Sequence, residues 1–248
     1  MTKYFYDLHI HSCLSPCAED DMTPNNIAGM AVLKGLNLIA LTDHNSCKNC
    51  PAFFDACKRQ GIIPIAGVEL SSAEDIHLVC LFPELEDAMA FDKELEKHLS
   101  PIENRPDIFG NQLILDGEDE IVGKESRLLI SATDLWLEDA LRLARSFGAY
   151  VRPAHIDRES NGIVAVLGDI PTEYGFSCYE FNDRNNFSEY KERFPFLSEK
   201  NILVCSDAHR LWEINEAENY IMIDDEPYSS SLVRKRFFEY LAQLEKII

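Results

Sequence analysis

The fold is decided near the start of the chain, where residues 4–11 read YFYDLHIH. Aromatic and aliphatic residues make Tyr4–His9 a predicted strand. His9 and His11 stand two positions apart, and side chains alternate along an extended backbone, so both imidazoles lie on the same side and can bind one metal ion. The segment therefore predicts a strand that leads into a metal site.

The same plan recurs along the chain, where short apolar runs alternate with amphipathic stretches. This alternation is typical of repeated βα units around a parallel sheet. The other predicted strands are Leu36–Leu41, Ile62–Val68, Ile76–Phe82, Ala149–Ala154, Ser177–Phe181, Ile202–Ser206 and Tyr220–Ile223. The predicted helices are one that Thr23 caps, starting at Pro24 and ending at Gly35, then Pro51–Gly61, Glu84–Leu99, Asp134–Phe147 with Thr133 as its cap, and Ser230 to about Glu245.

Length and composition indicate a globular α/β protein. The 248 residues include 46% hydrophobic residues, enough for a large core, and the pattern predicts one domain over residues 1–248. Residues 84–147, which contain the irregular and acid-rich Pro101–Gly123, are expected to form an insertion near the pocket. Such an insertion can cover the pocket and limit substrate size.

The chain is strongly acidic. Its 23 Lys and Arg against 43 Asp and Glu give a net charge of −20. Binding to a nucleic-acid polymer depends on many basic contacts to phosphates, so we expect no such polymer as a partner. No apolar run approaches the roughly 18 residues of a membrane span, and the polar start does not resemble an export signal, so we expect a cytoplasmic protein with no membrane partner.

Eight cysteines without an export signal are better interpreted as reduced thiols or ligands than as a disulfide framework. Cys13 and Cys17 form one closely spaced pair, and Cys47 and Cys50 form another. Each pair follows a histidine-rich segment, which leaves open a structural zinc site or a disulfide. Partly buried, reduced thiols are the alternative.

Six of the seven histidines end or interrupt the predicted strands. They are His9, His11, His44, His77, His155 and His209. In a βα barrel the carboxyl ends of the strands converge on one face, where Asp43, Glu69 and Asp207 add carboxylates. Imidazole and carboxylate ligands suit manganese, zinc or iron, and a carboxylate can bridge two ions. A multinuclear metal site is therefore predicted.

The segments that carry these residues resemble the PHP (polymerase and histidinol phosphatase) family of metal-dependent phosphoesterases. They are Tyr6–Ser12, Leu41–Asn45, Gly67–Glu69, Ala154-His155 and Ser206–His209. The resemblance implies a distorted (β/α)₇ TIM-like barrel, which agrees with the number of predicted strands. It also implies two or three bound divalent ions, either Mn, Zn or Fe, and hydrolysis of phosphate esters.

The resemblance implies a set of metal ligands. It assigns His9, His11, Glu69 and Asp207 to a first cluster, and His44, His155 and His209 to neighbouring sites. His77 resembles a further ligand found in the small-molecule phosphatases of the family, with a hydrogen-bonded core histidine as the alternative.

One segment departs from the family pattern. The family places an aspartate about five residues after the second histidine, whereas here the corresponding segment is longer and contains three adjacent acids. Glu19, Asp20 or Asp21 can supply this carboxylate, and Asp20 is our prediction.

A water between two cations loses a proton near neutral pH and can attack phosphorus in line with the leaving group. Asp43 and His209 are the predicted catalytic residues, with His209 or His44 as a proton relay. Arg158 and Arg210 are the predicted substrate-binding cations, because each follows closely after a predicted ligand.

The predicted function is hydrolysis of a small phosphorylated metabolite or nucleotide. Arg152 and Arg184 are further candidates to face such a substrate. Two other functions remain open: an amidohydrolase-like enzyme acting on a non-phosphate substrate with the same ligands, and a non-catalytic metal-binding or sensing module.

Overall fold

A nine-residue strand begins the fold in the computed structural model, which describes residues 1–245. The strands are β1 (Thr2–Ile10), β2 (Leu38–Leu41), β3 (Ile63–Ser71), β4 (His77–Phe82), β5 (Leu113–Leu115), β6 (Ile121–Lys124), β7 (Tyr150–Pro153), β8 (Cys178–Phe181), β9 (Asn201–Val204) and β10 (Tyr220–Ile223). Every predicted strand is present, with ends that differ by three residues or fewer. The short strands β5 and β6 were not predicted.

Eight α-helices connect or flank these strands within residues 1–245. They are α1 (Pro24–Leu33), α2 (Cys50–Gln60), α3 (Leu85–Leu95), α4 (Pro106–Phe109), α5 (Leu137–Ser146), α6 (Ile163–Leu167), α7 (Phe187–Arg193) and α8 (Ser230–Glu245). Thr23 caps α1 as predicted, because its hydroxyl oxygen accepts a hydrogen bond from the backbone N–H of Asn26. Gly61 ends α2 in the left-handed conformation that glycine permits.

The predicted cap of α5 is wrong. The helix begins at Leu137, and the hydroxyl of Thr133 instead donates to the carbonyl oxygen of Ser71 at 2.8 Å. The carboxylate of Glu74 accepts from the backbone N–H of Leu137 at 2.9–3.0 Å. A residue distant in sequence thus takes the capping role that we expected of a local one.

The central sheet has six strands in the order β10-β1-β2-β3-β4-β7. Strands β1, β2 and β3 are parallel, but β4 runs antiparallel to both β3 and β7. The prediction of a parallel sheet is therefore wrong at β4. The connection between β3 and β4 is too short for the crossover that parallel neighbours need.

Strands β8 and β9 form a separate parallel pair that continues the curve of the sheet. The backbone N–H of Ile156, after β7, donates to the carbonyl of Glu180 in β8. On the other side, the N–H of His11 donates to the carbonyl of Ala208 at 2.9 Å. These contacts bring seven strands around a central axis, which confirms the distorted (β/α)₇ TIM-like barrel.

The two faces of the curved sheet pack differently. Val233, Phe237 and Leu241 of α8 pack with Leu8 and other residues of one face. The opposite face packs against α1, α2, α3 and α5. Within residues 1–245, no helix has both the length and the apolar composition that crossing a bilayer requires.

The expected insertion over residues 84–147 has two kinds of structure. Helices α3 and α5 pack in the main core, whereas residues 96–136 form the irregular part that contains α4 and the β5–β6 hairpin. This part packs on the loops after β1 and β2: the N–H of Leu113 donates to the carbonyl of Cys13, and the amide of Asn45 donates to the carbonyl of Leu129. It therefore steadies the loops around the strand ends.

Candidate metal centre

Imidazole and carboxylate side chains that could bind a metal ion gather at one edge of the curved sheet. They are His9 and His11 at the end of β1, His44 after β2, Glu69 in β3, His77 in β4, His155 after β7, and Asp207 and His209 after β9. The reversed direction of β4 places its first residue, His77, opposite Ser71 at the end of β3. The pairing of β1 with β2 also shifts register between Asp7 and Ile10, an irregularity of the kind that re-aims side chains at active sites.

Two of these residues occupy a backbone conformation that is unusual for side chains other than glycine. His155 has φ 24° and Asp207 has φ 54°. Such conformations are costly and occur preferentially at functional sites. Here they follow β7 and β9 directly, where they direct the chain around the edge of the barrel.

The ligand atoms form three overlapping groups, in each of which all atoms lie within 4.8 Å of one another. The groups are His9, His11, Glu69 and Asp207; His44, Glu69 and His77; and His11, His44 and His209. Because Glu69 belongs to two groups, its carboxylate is suited to bridging two ions. His155 lies outside the three groups, but its Nε2 is 3.0 Å from Glu69 Oε1.

The spacing of the first group fits a metal ion. His9 Nε2 and His11 Nε2 are 3.2 Å apart, and each lies 3.0–3.3 Å from Asp207 Oδ1 and 3.3 Å from a carboxylate oxygen of Glu69. Atoms at these separations are close enough to share one small cation, since zinc–ligand bonds to imidazole and carboxylate are about 2 Å long. The residues present therefore fit a small divalent cation.

Unsatisfied polar atoms support the same conclusion. His44 Nδ1 and Glu69 Oε2 are buried and 3.0 Å apart, yet neither has a hydrogen-bond partner. Buried polar atoms are normally hydrogen-bonded, so orphaned atoms that face one another need an explanation. A bound cation would satisfy both.

The buried carboxylates of the centre favour positive charge beside them. Burial would lower the pKa of His9, but the charges of Glu180 and Glu69 raise it well above its usual value. Burial likewise opposes protonation of His11, but hydrogen bonds to Asp207 and Glu69 raise its pKa to about 9. The carboxylates thus draw protons onto these imidazoles, and a divalent cation can replace those protons.

Two other histidines are held neutral. Burial, reinforced by the charge of His11, lowers the pKa of His44 to about 4 and that of His209 to about 3. His209 Nδ1 donates to the carbonyl oxygen of Asp207 at 2.8 Å, so its Nε2 carries the lone pair. Neutral imidazole is the form that binds metal ions.

Asp43 lies behind the cluster and not within it. Its carboxylate is buried and accepts hydrogen bonds from the backbone and hydroxyl of Ser12 and from the hydroxyl of Ser15. The hydroxyl oxygen of Ser15 in turn accepts from His11 Nδ1 at 2.9 Å, which leaves the Nε2 lone pair facing the cluster. The structure therefore gives the predicted catalytic Asp43 a positioning role, exerted on His11 through Ser15.

Glu180 is the residue that sequence reasoning missed. Its Oε1 lies 2.6 Å from His9 Nδ1, and because a carboxylate only accepts, Nδ1 carries the proton and Nε2 is free for a metal. Its Oε2 pairs with the buried guanidinium of Arg152 at 2.7 Å. Burial opposes ionisation, but the charges of His9 and Arg152 outweigh it and lower the pKa of Glu180 to about 2.

Arg152 is excluded as a substrate contact, because its side chain is fully buried in the ion pair with Glu180. Arg184, the other further candidate, donates to the side-chain oxygen of Asn219. In the sequence, the alternation of side chains along β8 is the one indication that Glu180 faces inward. The same alternation applies to every strand, so it gives no reason to select Glu180 as a functional residue.

Asp20 is not brought to the metal ligands. It is exposed, and its Oδ2 accepts from Asn111 at 2.9 Å. Ala18 and Met22 are buried and anchor the longer loop, which leaves the acids between them at the surface. Our choice of Asp20 finds no support in its placement; among its neighbours, Asp21 is also exposed and Glu19 pairs with Arg210.

A cavity of about 500 Å³ opens beside the cluster. Its lining includes His44, Glu69, His77, Asp207 and His209 together with Cys17, Arg158, Ser160, Asn161, Ser206, Arg210 and Glu213. None of these residues comes from the 84–147 segment, so the expected cover over the pocket is not seen. Arg158 is half-exposed and pairs with Asp207, whereas Arg210 pairs with Glu19 and Glu213.

The cysteines are all free thiols. Cys13, Cys47 and Cys50 are buried, and only Cys17 is exposed, at the cavity wall. The metal-binding groups found within residues 1–245 contain no cysteine. The interpretation as reduced thiols therefore fits better than a zinc site or a disulfide.

Comparisons with known proteins give a family and a fold. The family model for the PHP domain matches residues 7–193. A 5'-3' exoribonuclease of Haemophilus influenzae is 37% identical over 84 residues, which are 33% of this chain and 29% of that protein. The chain therefore spans less than a third of this curated relative.

Two solved structures share the fold over 94% of this chain. The lesion-specific endonuclease of Pyrococcus furiosus is 18% identical with a TM-score of 0.61, and 55% of its chain is covered. An endonuclease Q bound to a 27-mer duplex with an abasic lesion at the active site is 19% identical with a TM-score of 0.64, and 56% of its chain is covered.

These structures correct one expectation. We excluded a nucleic-acid polymer as partner because of the net charge of −20, and that exclusion is wrong. The endonuclease Q complex shows this fold with a DNA duplex at its active site. Net charge averages over the whole surface, whereas a substrate meets the local field of the pocket.

Proposed function

Because the chain belongs to the PHP domain family and is a metal-dependent hydrolase of the phosphoesterase type, we propose that it hydrolyses the phosphate ester of a small phosphorylated metabolite or nucleotide. The observation that carries this proposal is that two imidazole nitrogens, 3.2 Å apart, lie 3.0–3.3 Å from oxygens of Glu69 and Asp207, two carboxylates that line an open cavity.

Two or three divalent ions are proposed as cofactors. His9, His11, Glu69 and Asp207 would hold one ion, and His44, His77 and Glu69 would hold a second. His209 with His11 and His44 offers a third site. This mixture of imidazoles and carboxylates suits Mn, Zn or Fe.

Bound divalent ions lower the pKa of water towards neutrality and offset charge on phosphoryl oxygens. The chain's own part is to orient the ester and to fix the protons. Arg158 lies at the cavity wall and can bind phosphoryl oxygens, since guanidinium groups match phosphate geometry. His209, neutral with its proton on Nδ1, presents Nε2 as a ligand or a proton acceptor. The predicted catalytic role of His209 thus stays a prediction.

The test is phosphate release from a panel of sugar phosphates and nucleotides, after metal stripping and again after addition of Mn²⁺, Zn²⁺ or Fe²⁺. We expect release only with added metal, and loss of both release and metal content in His9→Ala. His98→Ala is the matched control, because His98 is partly exposed and pairs with Asp134 instead of the cluster. Tight metal binding without release from any ester would overturn the proposal in favour of a non-phosphate substrate or a sensing module.

A second candidate substrate is the terminal nucleotide of a nucleic-acid strand. The 37% identity to the exoribonuclease over 84 residues favours it, as does the openness of the cavity to the surface. End-labelled single-stranded and duplex oligonucleotides test this candidate with the same metals. Release of mononucleotides from one end supports it, and intact strands under conditions that hydrolyse free nucleotides rule it out.

A further inference from the structure

An exposed tryptophan follows His209 closely in the chain and contacts Arg210, a residue of the cavity wall. Trp212 belongs to a single 3₁₀ turn, Leu211–Glu213, that starts two residues after His209. Its side chain is 62% exposed. Single exposed apolar residues are common, so exposure by itself indicates nothing. The contacts that hold this turn in place make Trp212 a candidate for binding a ligand.

The turn is fixed to the body of the protein. Lys34 Nζ donates to the carbonyl oxygens of Trp212 and Ile214, and Ile214 is buried in the main core. The carboxylate of Glu213 accepts from the backbone N–H of His209 at 3.0 Å. The indole is therefore presented to solvent from a rigid base beside a metal ligand.

Arg210 connects the indole with the cavity. Its guanidinium carbon lies 5.7 Å from the centre of the Trp212 ring, and the residue lines the cavity. Two carboxylates pair with it: its Nε donates to Glu19 at 2.9 Å and its Nη1 donates to Glu213 at 3.1 Å. Its charge is thus already balanced, so Arg210 suits a planar stacking partner better than a phosphate.

The charges around the cavity orient a substrate. The carboxylates of Glu19 and Glu213 repel a phosphate from the Arg210 side, whereas Arg158 and the divalent ions of the proposed centre would attract it. A neutral, flat and aromatic group meets no such repulsion. The nucleobase is the part of a nucleotide with these properties.

We propose that Trp212 and Arg210 form a stacking platform for the nucleobase of a nucleotide whose phosphate lies at the metal centre. The proposal rests on the proposed function and narrows its substrate class to nucleotides, free or at the end of a strand. Stacking of a base on an aromatic side chain typically changes affinity by about 5- to 150-fold.

Binding is tested by fluorescence, because the chain has only two tryptophans, Trp136 and Trp212, each 62% exposed. Neither tryptophan lines the cavity itself, but Trp212 contacts the lining residue Arg210, whereas Trp136 precedes α5. In the Zn²⁺-loaded Trp136→Phe variant, we expect adenosine 5'-monophosphate to quench the emission of Trp212 and ribose 5-phosphate to leave it unchanged. In Trp212→Phe, neither compound should alter the emission of Trp136. Equal quenching of both tryptophans, or none of Trp212, would overturn the platform.

Kinetics give an independent test. In Trp212→Ala, kcat/KM for a nucleotide should fall by about 5- to 150-fold through KM, while hydrolysis of a sugar phosphate stays unchanged. Trp212→Phe should restore most of the loss, and Trp136→Ala should behave as the unsubstituted protein. An equal loss for nucleotide and sugar phosphate contradicts stacking.

The two proposals fail separately. Quenching of Trp212 without release of phosphate supports the platform and contradicts the phosphoesterase. Release from nucleotides with no effect of Trp212→Ala supports the phosphoesterase and contradicts the platform.

Discussion

Replacing Glu180 with glutamine tests the arrangement behind His9. Glu180 is fully buried between His9 Nδ1 at 2.6 Å and Arg152 Nη2 at 2.7 Å. The substitution keeps the shape of the side chain but removes its charge, so the buried guanidinium loses its anionic partner. Breaking a buried ion pair in this way costs about 3–5 kcal/mol of folding free energy. Loss of the carboxylate behind a ligand histidine also lowers metal affinity by about 10–100-fold.

Two measurements separate these effects. Urea unfolding of the metal-free protein gives the loss of folding free energy, and in thermal unfolding the midpoint temperature of a chain of this size should fall by about 6–20 °C. Calorimetric titration with Mn²⁺ gives the affinity term. Glu173→Gln is the matched control, because Glu173 is exposed in the turn before β8 and its substitution should change neither quantity.

A double variant, Glu180→Gln with Arg152→Met, makes the reasoning stricter. Removing both charges should recover much of the lost stability, because the double variant no longer has the desolvation cost of two buried charges. Metal affinity should remain low, because His9 still lacks its carboxylate. A loss below about 1 kcal/mol in the single variant, together with unchanged metal affinity, would refute the role that we assign to Glu180.

Three further predictions concern the same centre. Asp43→Asn should cost about 1–3 kcal/mol by disturbing the hydrogen bonds to Ser15, and it should weaken metal binding through His11; unfolding and metal titration check this, and wild-type values for both contradict it. Asp20→Ala should leave metal content and stability within about 0.5 kcal/mol of the original, and a lost metal equivalent by elemental analysis would instead restore our sequence-based choice. Removing metal with a chelator should lower stability by about 2.7 kcal/mol relative to protein in metal at one hundred times its Kd, and a thermal midpoint indifferent to the chelator would contradict a folded-state metal site.

The strands, and the histidines that gather at their ends, were predictable because both depend on local sequence. The predicted strand Tyr220–Ile223 has the same bounds in the structure, and the positions of the histidines at strand ends in the sequence already indicate their shared face. The direction of β4 was not predicted, although the short connection between Ser71 and His77 already excludes a parallel crossover. The position of β4 in the sequence was predicted correctly, and only its direction, which the connection to β3 determines, was missed.

The residues behind the ligands could not be predicted in the same way. Glu180 lies 171 positions from His9, and Ser15 is an ordinary serine in a loop until the fold places it between His11 and Asp43. Asp20 shows the opposite failure, since an acid at a plausible distance along the chain turned to the surface. The spacing of residues along the sequence identifies candidate ligands at strand ends. It does not identify residues such as Glu180 and Ser15, which position a ligand through a hydrogen bond.

The acidity of the chain and an anionic substrate are compatible for a physical reason. Around the centre, Arg152 and Arg158 offset only part of the charge of Glu69, Glu180 and Asp207, which is why the pKa of His9 is raised. Two divalent ions would bring four positive charges into this small region and reverse its sign. The field that a phosphate meets at short range would then be set by the ions and Arg158, because the many surface acids are screened over about 8–10 Å at physiological ionic strength. A net charge of −20 therefore bears on solubility and on the approach of partners, and the pocket determines which anion binds.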